Sequence, residues 1–140
     1  MKISIEIKGA EAIQKRIEYL KRFYLEALAA ALYQEGFEIW RESVQRCPVE
    51  TGLLRSSAYV APPVGQGNPR VEVGFGTDYA IFVHERMDVV HPRGGEPKFL
   101  ERTVDEHMMG YLERIAERTM ANVKSGTGVK SLPAPEEPGA

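Results

Sequence analysis

The sequence predicts an α+β protein, a small antiparallel β-sheet packed against a long N-terminal helix and a C-terminal helix. Three observations predict it. Apolar residues recur at helical spacing from Ala10 to Arg46, and again beyond Pro97. Between those stretches lie short β-prone runs divided by a Pro/Gly cluster. At the front, Lys2 to Lys8 alternates strictly between apolar and polar residues.

In that first run Ile3, Ile5 and Ile7 share one face and Lys2, Ser4, Glu6 and Lys8 the other, which reads as a half-buried strand ended by Gly9. The long helix follows, with Ile13, Ile17, Leu20, Tyr24, Leu28, Leu32, Ile39 and Val44 as its apolar positions. Ala27, Ala29, Ala30 and Ala31 form a slim waist where another backbone can approach closely. Gly36 marks a kink or a close contact. Pro48 stops the helix by driving Cys47 out of the α region. The charges Lys15, Arg16, Glu18, Lys21, Arg22 and Glu26 alternate in sign and read as a solvated face.

Glu50-Thr51-Gly52 reads as a turn, and Leu53 to Val60 as a strand of imperfect alternation. Pro62 to Pro69 is a hairpin loop, and Val71 and Val73 belong to the partner strand. Gly74-Phe75-Gly76 suggests a bulge or a close backbone approach. Tyr79 to Val83 is a short apolar run whose periodicity fits a strand or a helical turn. Arg86 to Pro97 is a glycine-containing loop, of the kind that contacts partners. The second helix should begin at Pro97 and fade near Lys124, with Leu100, Val104, Met108, Tyr111, Leu112, Ile115 and Met120 as its stripe. Residues 1–124 thus form one domain, and 125–140, rich in Gly, Pro, Ser and Glu, a disordered tail.

The composition narrows function. The chain has 140 residues, 43% of them hydrophobic and 27% charged, enough for one buried core. A net charge of −2 is not that of a domain built to grip nucleic acid. Cys47 stands alone, so neither an intramolecular disulfide nor a multi-cysteine zinc site can form, and it reads as a small apolar residue at a helix end. No apolar run has the length of a membrane span, and Met1 to Lys8 has no signal-peptide core.

A search for chemistry yields little. His84, Glu85 and His91 match no zincin spacing. Gly74-Phe75-Gly76 lacks the rest of a phosphate or dinucleotide loop, and Ser56-Ser57 has no nucleophile-elbow glycines. The expectation is a protein that is not an enzyme and carries no cofactor and no metal.

Three segments carry a resemblance: Pro48-Val49-Glu50-Thr51-Gly52-Leu53-Leu54-Arg55-Ser56-Ser57, then Val73-Gly74 through Tyr79-Ala80 and Val83, then Pro97-Lys98-Phe99-Leu100. In this order they are similar to the tail-completion family of long-tailed, siphovirus-type bacteriophages, also called neck or head–tail joining proteins. The resemblance spans roughly Lys2 to Arg118. It departs after Val83, where His84-Glu85-Arg86-Met87 replaces the family's aromatic-Gly-Thr turn and displaces the acidic residue by one.

The resemblance implies a virion structural protein at the head-proximal end of the tail. Copies would form a ring, expected as a hexamer, joining the head connector or head-closure protein to the tail terminator or tail tube. Genomic DNA would pass through the lumen without specific binding, and a mildly acidic chain suits a channel that must not hold phosphates. The protein would reside in the virion neck, and in the host cytoplasm during assembly. A tail terminator, a head-closure protein, or a small DNA-binding regulator using Lys15, Arg16, Lys21 and Arg22 are the alternatives. The interface and structural residues carried over are Thr51, Gly52, Leu53, Arg55, Tyr79, Glu85, Pro97, Phe99 and Leu100. Arg55 is expected either to pair with a carboxylate such as Glu85 or to lie exposed on a strand.

Overall fold

The computed structural model describes residues 1–6, 8–49, 52–86, 95 and 97–133, with Ile81 and Phe82 described by backbone alone. The architecture is α+β: a two-stranded antiparallel sheet, a long N-terminal helix and C-terminal helices packed together.

Helix α1 runs Ala10–Arg46, with the limits its sequence predicts. It ends where Pro48 forces Cys47 into an extended conformation (φ −63°, ψ 136°). The sheet and the C-terminal helices pack against it. Its buried face is Ala27, Ala30, Ala31, Tyr33, Glu35, Gly36 and Ser43. The expected stripe is not the fully buried set: Ile13, Ile17, Leu20 and Tyr24 are exposed, and Leu28, Leu32, Ile39 and Val44 are half-buried. Small residues won because side chains of the sheet and of the C-terminal helices press against this face. At the alanine waist, the buried Asn122 side chain donates through Nδ2 to the Ala27 carbonyl at 3.1 Å. At Gly36 the sheet descends so far that a Cβ would stand 2.8 Å from Val71 Cγ1 and 3.0 Å from Val60 Cγ2.

The expected strand from Leu53 to Val60 divides in two. Leu53–Ser56 is one helical turn, α2, and strand β1 is Ala58–Val64. The serines decide the division, since Ser56 Oγ donates to the Leu53 carbonyl and Ser57 Oγ to that of Leu54. Strand β2, Arg70–Phe75, pairs with β1 in the register Ala58 with Phe75 and Val60 with Val73. The pairing slips between Ala61 and Val64, so Pro62 and Pro63 lie in an irregularity of β1 and not in the loop. On the outer face Tyr59 lies across Gly74 and donates to Glu72 Oε1 at 2.6 Å.

Tyr79 to Val83 resolves as helix α3, Ala80–Glu85. The C-terminal helix is two helices, α4 (Phe99–Met108) and α5 (Tyr111–Ser125), separated at Gly110, φ +68°. Pro97 stands two residues before the start of α4, and Lys98 caps it at φ +56°. Of the expected stripe, Ile115 is buried while Met108, Leu112 and Met120 are exposed; Phe99, Thr103 and Asn122 supply the buried positions. Val129–Ser131 forms a short 3-10 turn that packs on α1. Most of the Arg86 to Pro97 loop, with His91, and residues 134–140 lie outside the described residues.

The expected N-terminal strand is not formed. Residues 1–6 and 8 are neither helix nor strand, and Ile3 and Ile5 are 78% and 89% exposed. Alternation assigns faces but does not supply an edge, and no strand among the described residues pairs with this segment.

Candidate functional site

The three motif segments meet in space. Cys47, Leu54 and Phe99 form a buried cluster, with Phe75, Ala80, Val83 and Leu100 packed around it. The Phe99 ring stands edge-on to Phe75, centroids 4.9 Å apart, and to the His84 ring at 5.1 Å. Lys98 N–H donates to the His84 carbonyl at 2.7 Å, tying α4 to the end of α3. Gly95, at φ +103°, lies so near Pro48 that a Cβ would be 2.4 Å from its Cα. Burial pushes the Cys47 thiol up to about 12, against a weaker downward pull from Arg55.

The expected site residues take separate roles. Gly52, at φ +76°, opens α2; Leu54 enters the core while Leu53 faces out. Phe99 is buried, Pro97 and Leu100 are half-buried, and Tyr79 is exposed. Thr51 lies outside the described residues. Within the chain Arg55 does not pair with Glu85. It donates through Nη2 to the carbonyls of Cys47 at 2.9 Å and Gln45 at 3.3 Å, capping the C-terminus of α1. Glu85 instead meets Lys98 Nζ at 2.6 Å and His84 Nδ1 at 3.0 Å. Hydrogen bonds from those two groups hold its carboxyl below the ordinary range.

A second cluster joins α1 to α4 and α5, and the sequence reading missed it. Glu35 is 5% exposed. Its carboxylate receives Arg114 Nη2 at 2.7 Å and faces His107 Nδ1 at 3.0 Å. Arg118 Nη1 stands 3.2 Å away, close enough for attraction but not aligned as a hydrogen bond. His107 Nε2 faces Glu42 at 3.1 Å, and Arg118 Nη2 donates to Glu38 at 2.6 Å. Burial pushes the Glu35 carboxyl up; hydrogen bonds from Arg114 and His107, with the charges of Arg114 and Arg118, outweigh it and hold it low. Arg114 also donates to the carbonyls of His107 and Met109, closing the end of α4 beside Gly110. The one available signal was position: Glu35 follows Ala27 and Ala31 at intervals of four on the small-residue face.

Glu35, Glu38 and His107 lie near enough together to hold a cation, as do His84, Glu85 and Glu101. The first group is already neutralised by Arg114 and Arg118, the second by Lys98, which also meets Glu101 at 3.0 Å. These clusters fasten elements together.

What remains is surface. Residues 10–22 of α1 are exposed throughout, yet Ile13 (50% exposed), Ile17 (59%) and Leu20, continued by Tyr24, form one apolar row. Met108, Leu112 and Met120 are exposed on α4 and α5, and Met109 in the link between them. No helix among the described residues is long and apolar enough to cross a membrane.

Comparison with protein-family models, with curated proteins and with solved structures finds no match.

Proposed function

We propose that this chain is a non-enzymatic structural protein of a phage neck, which associates with copies of itself in a ring and joins tail to head. The observation that carries this reading is the apolar row Ile13, Ile17, Leu20 and Tyr24 on the exposed half of α1. A water-facing helix with such a row is stabilised when another surface covers it. The convergence of the three resembling segments on Phe99 also supports the reading, because it gives each of them a structural reason to be present. Lys15, Arg16, Lys21 and Arg22 share their helix with Glu11, Glu18 and Glu26, which favours passage of DNA over retention.

The test is an assembly assay. Purified protein is added to separated heads and tails from a phage lacking the corresponding gene, and joined particles are counted. The native chain should restore joining. Ile13→Glu/Ile17→Glu, with an unchanged circular dichroism spectrum, should not. A native chain that leaves heads and tails apart overturns the reading.

A further inference from the structure

Lys2–Glu6 has the alternation of a strand, and yet Ile3 and Ile5 stand in water. The sheet has only two strands among the described residues, so each strand has an outer edge. The edges differ. β1 carries Pro62 and Pro63 within its slipped register, and prolines donate no hydrogen bond, so that edge is guarded. β2, Arg70–Phe75, contains no proline, and among the described residues no strand pairs with its outer edge.

The segment cannot reach the body of its own sheet. Val60 and Val71 pack at Gly36, about 39 Å along α1 from Ala10 at 1.5 Å per residue. Lys2 to Gly9, fully extended, spans about 24 Å. Folded straight back, Lys2 would come level with roughly residue 26, where Pro63, Gly65 and Gln66 of the hairpin tip lie beside Arg22, Leu25 and Ala29. Val60 and Val73 stay beyond it.

We propose that Lys2–Glu6 adds as a third strand to the β2 edge of a second copy of this chain. The proposal deepens the reading above and rests on its claim that copies associate. It names the elements that join them: an unpaired strand and an unguarded edge borne by the same molecule. In that pairing Ile3 and Ile5 extend the layer of Val71 and Val73, and Ser4 comes beside Glu72 on the outer face. α1 acts as the arm that sets the distance between copies, and its exposed apolar row is carried towards the neighbour.

Full-length Ser4→Cys and Glu72→Cys proteins are mixed and oxidised, and native and Ile5→Pro chains are compared by light scattering. Cys47 is buried and does not compete. The expected result is a disulfide-linked heterodimer of the two cysteine variants. Ile5→Pro should weaken self-association by about tenfold or more while leaving the fold intact, since Ile5 touches no core. Only Ser4-to-Ser4 links, a monomeric native chain, or assembly unaffected by Ile5→Pro would overturn the proposal. If Ile5→Pro leaves association intact but Ile13→Glu/Ile17→Glu abolishes head–tail joining, the strand proposal fails alone. Strand-linked copies that do not restore joining sink the neck reading alone.

Discussion

The Glu35 carboxylate on α1 and the Arg114 guanidinium on α5 meet at 2.7 Å in a setting where Glu35 has almost no contact with water. A buried charge is tolerable only when paired, so this contact fixes how the C-terminal helices lie on α1.

Glu35→Ala should therefore destabilise the protein by about 2–3 kcal/mol, less than for a wholly buried pair because the Arg114 side chain is one-third exposed. Thermal unfolding checks it. Arg114→Ala should lose a similar amount, and the double variant clearly less than the sum of the two.

The same pair predicts an acid limb. The Glu35 carboxyl titrates below its ordinary value of 4.5 in the folded chain. In the window just under 4.5 the unfolded chain binds the extra proton, so stability falls as pH falls, until the folded carboxyl titrates too. Above that window the contribution is fully present. Denaturant titrations between about pH 6 and 3 should show a shallower fall for Glu35→Gln than for the native chain.

Gly36→Ala tests the close approach of sheet to helix. Alanine raises helix propensity by about 1 kcal/mol. Its Cβ would nevertheless stand 2.8 Å from a Val71 methyl, and such overpacking costs about 1–3 kcal/mol. A net loss of about 1 kcal/mol is expected in chemical denaturation, with Val71→Ala in the same chain restoring part of it.

Arg55 separates a capping role from a recognition role. Arg55→Ala should cost about 1 kcal/mol, since the last carbonyls of α1 lose their donor. Self-association measured by light scattering should not change. Loss of association in a folded Arg55→Ala chain would assign Arg55 to an interface instead.

Cys47 should be inert. Its thiol is buried and pushed up to about 12. A disulfide reagent at mildly alkaline pH should label the unfolded chain promptly and the native chain only as fast as it unfolds.

Where the sequence read true, the cause was local. Pro48 ended α1 through its clash with the residue before it, and Gly36 and the alanine waist announced close contacts. Where it read false, a distant partner decided. Ile13, Ile17, Leu20 and Tyr24 have the spacing of a core stripe, but none of them is buried in the described chain. Glu35 looked like one surface charge among many until α5 brought Arg114 and Arg118 to it. The break at Gly110 passed unseen, because a single glycine within a helical pattern is consistent with continuation.

The sequence by itself determined the α+β class and the extent of α1, because spacing and proline geometry act over a few residues. Only the tertiary structure decided which side of each helix is inside, where Arg55 and Glu35 find their partners, and that Ile3 and Ile5 are left without a sheet. Those outcomes depend on how near one backbone can come to another, a distance that no run of neighbouring residues encodes.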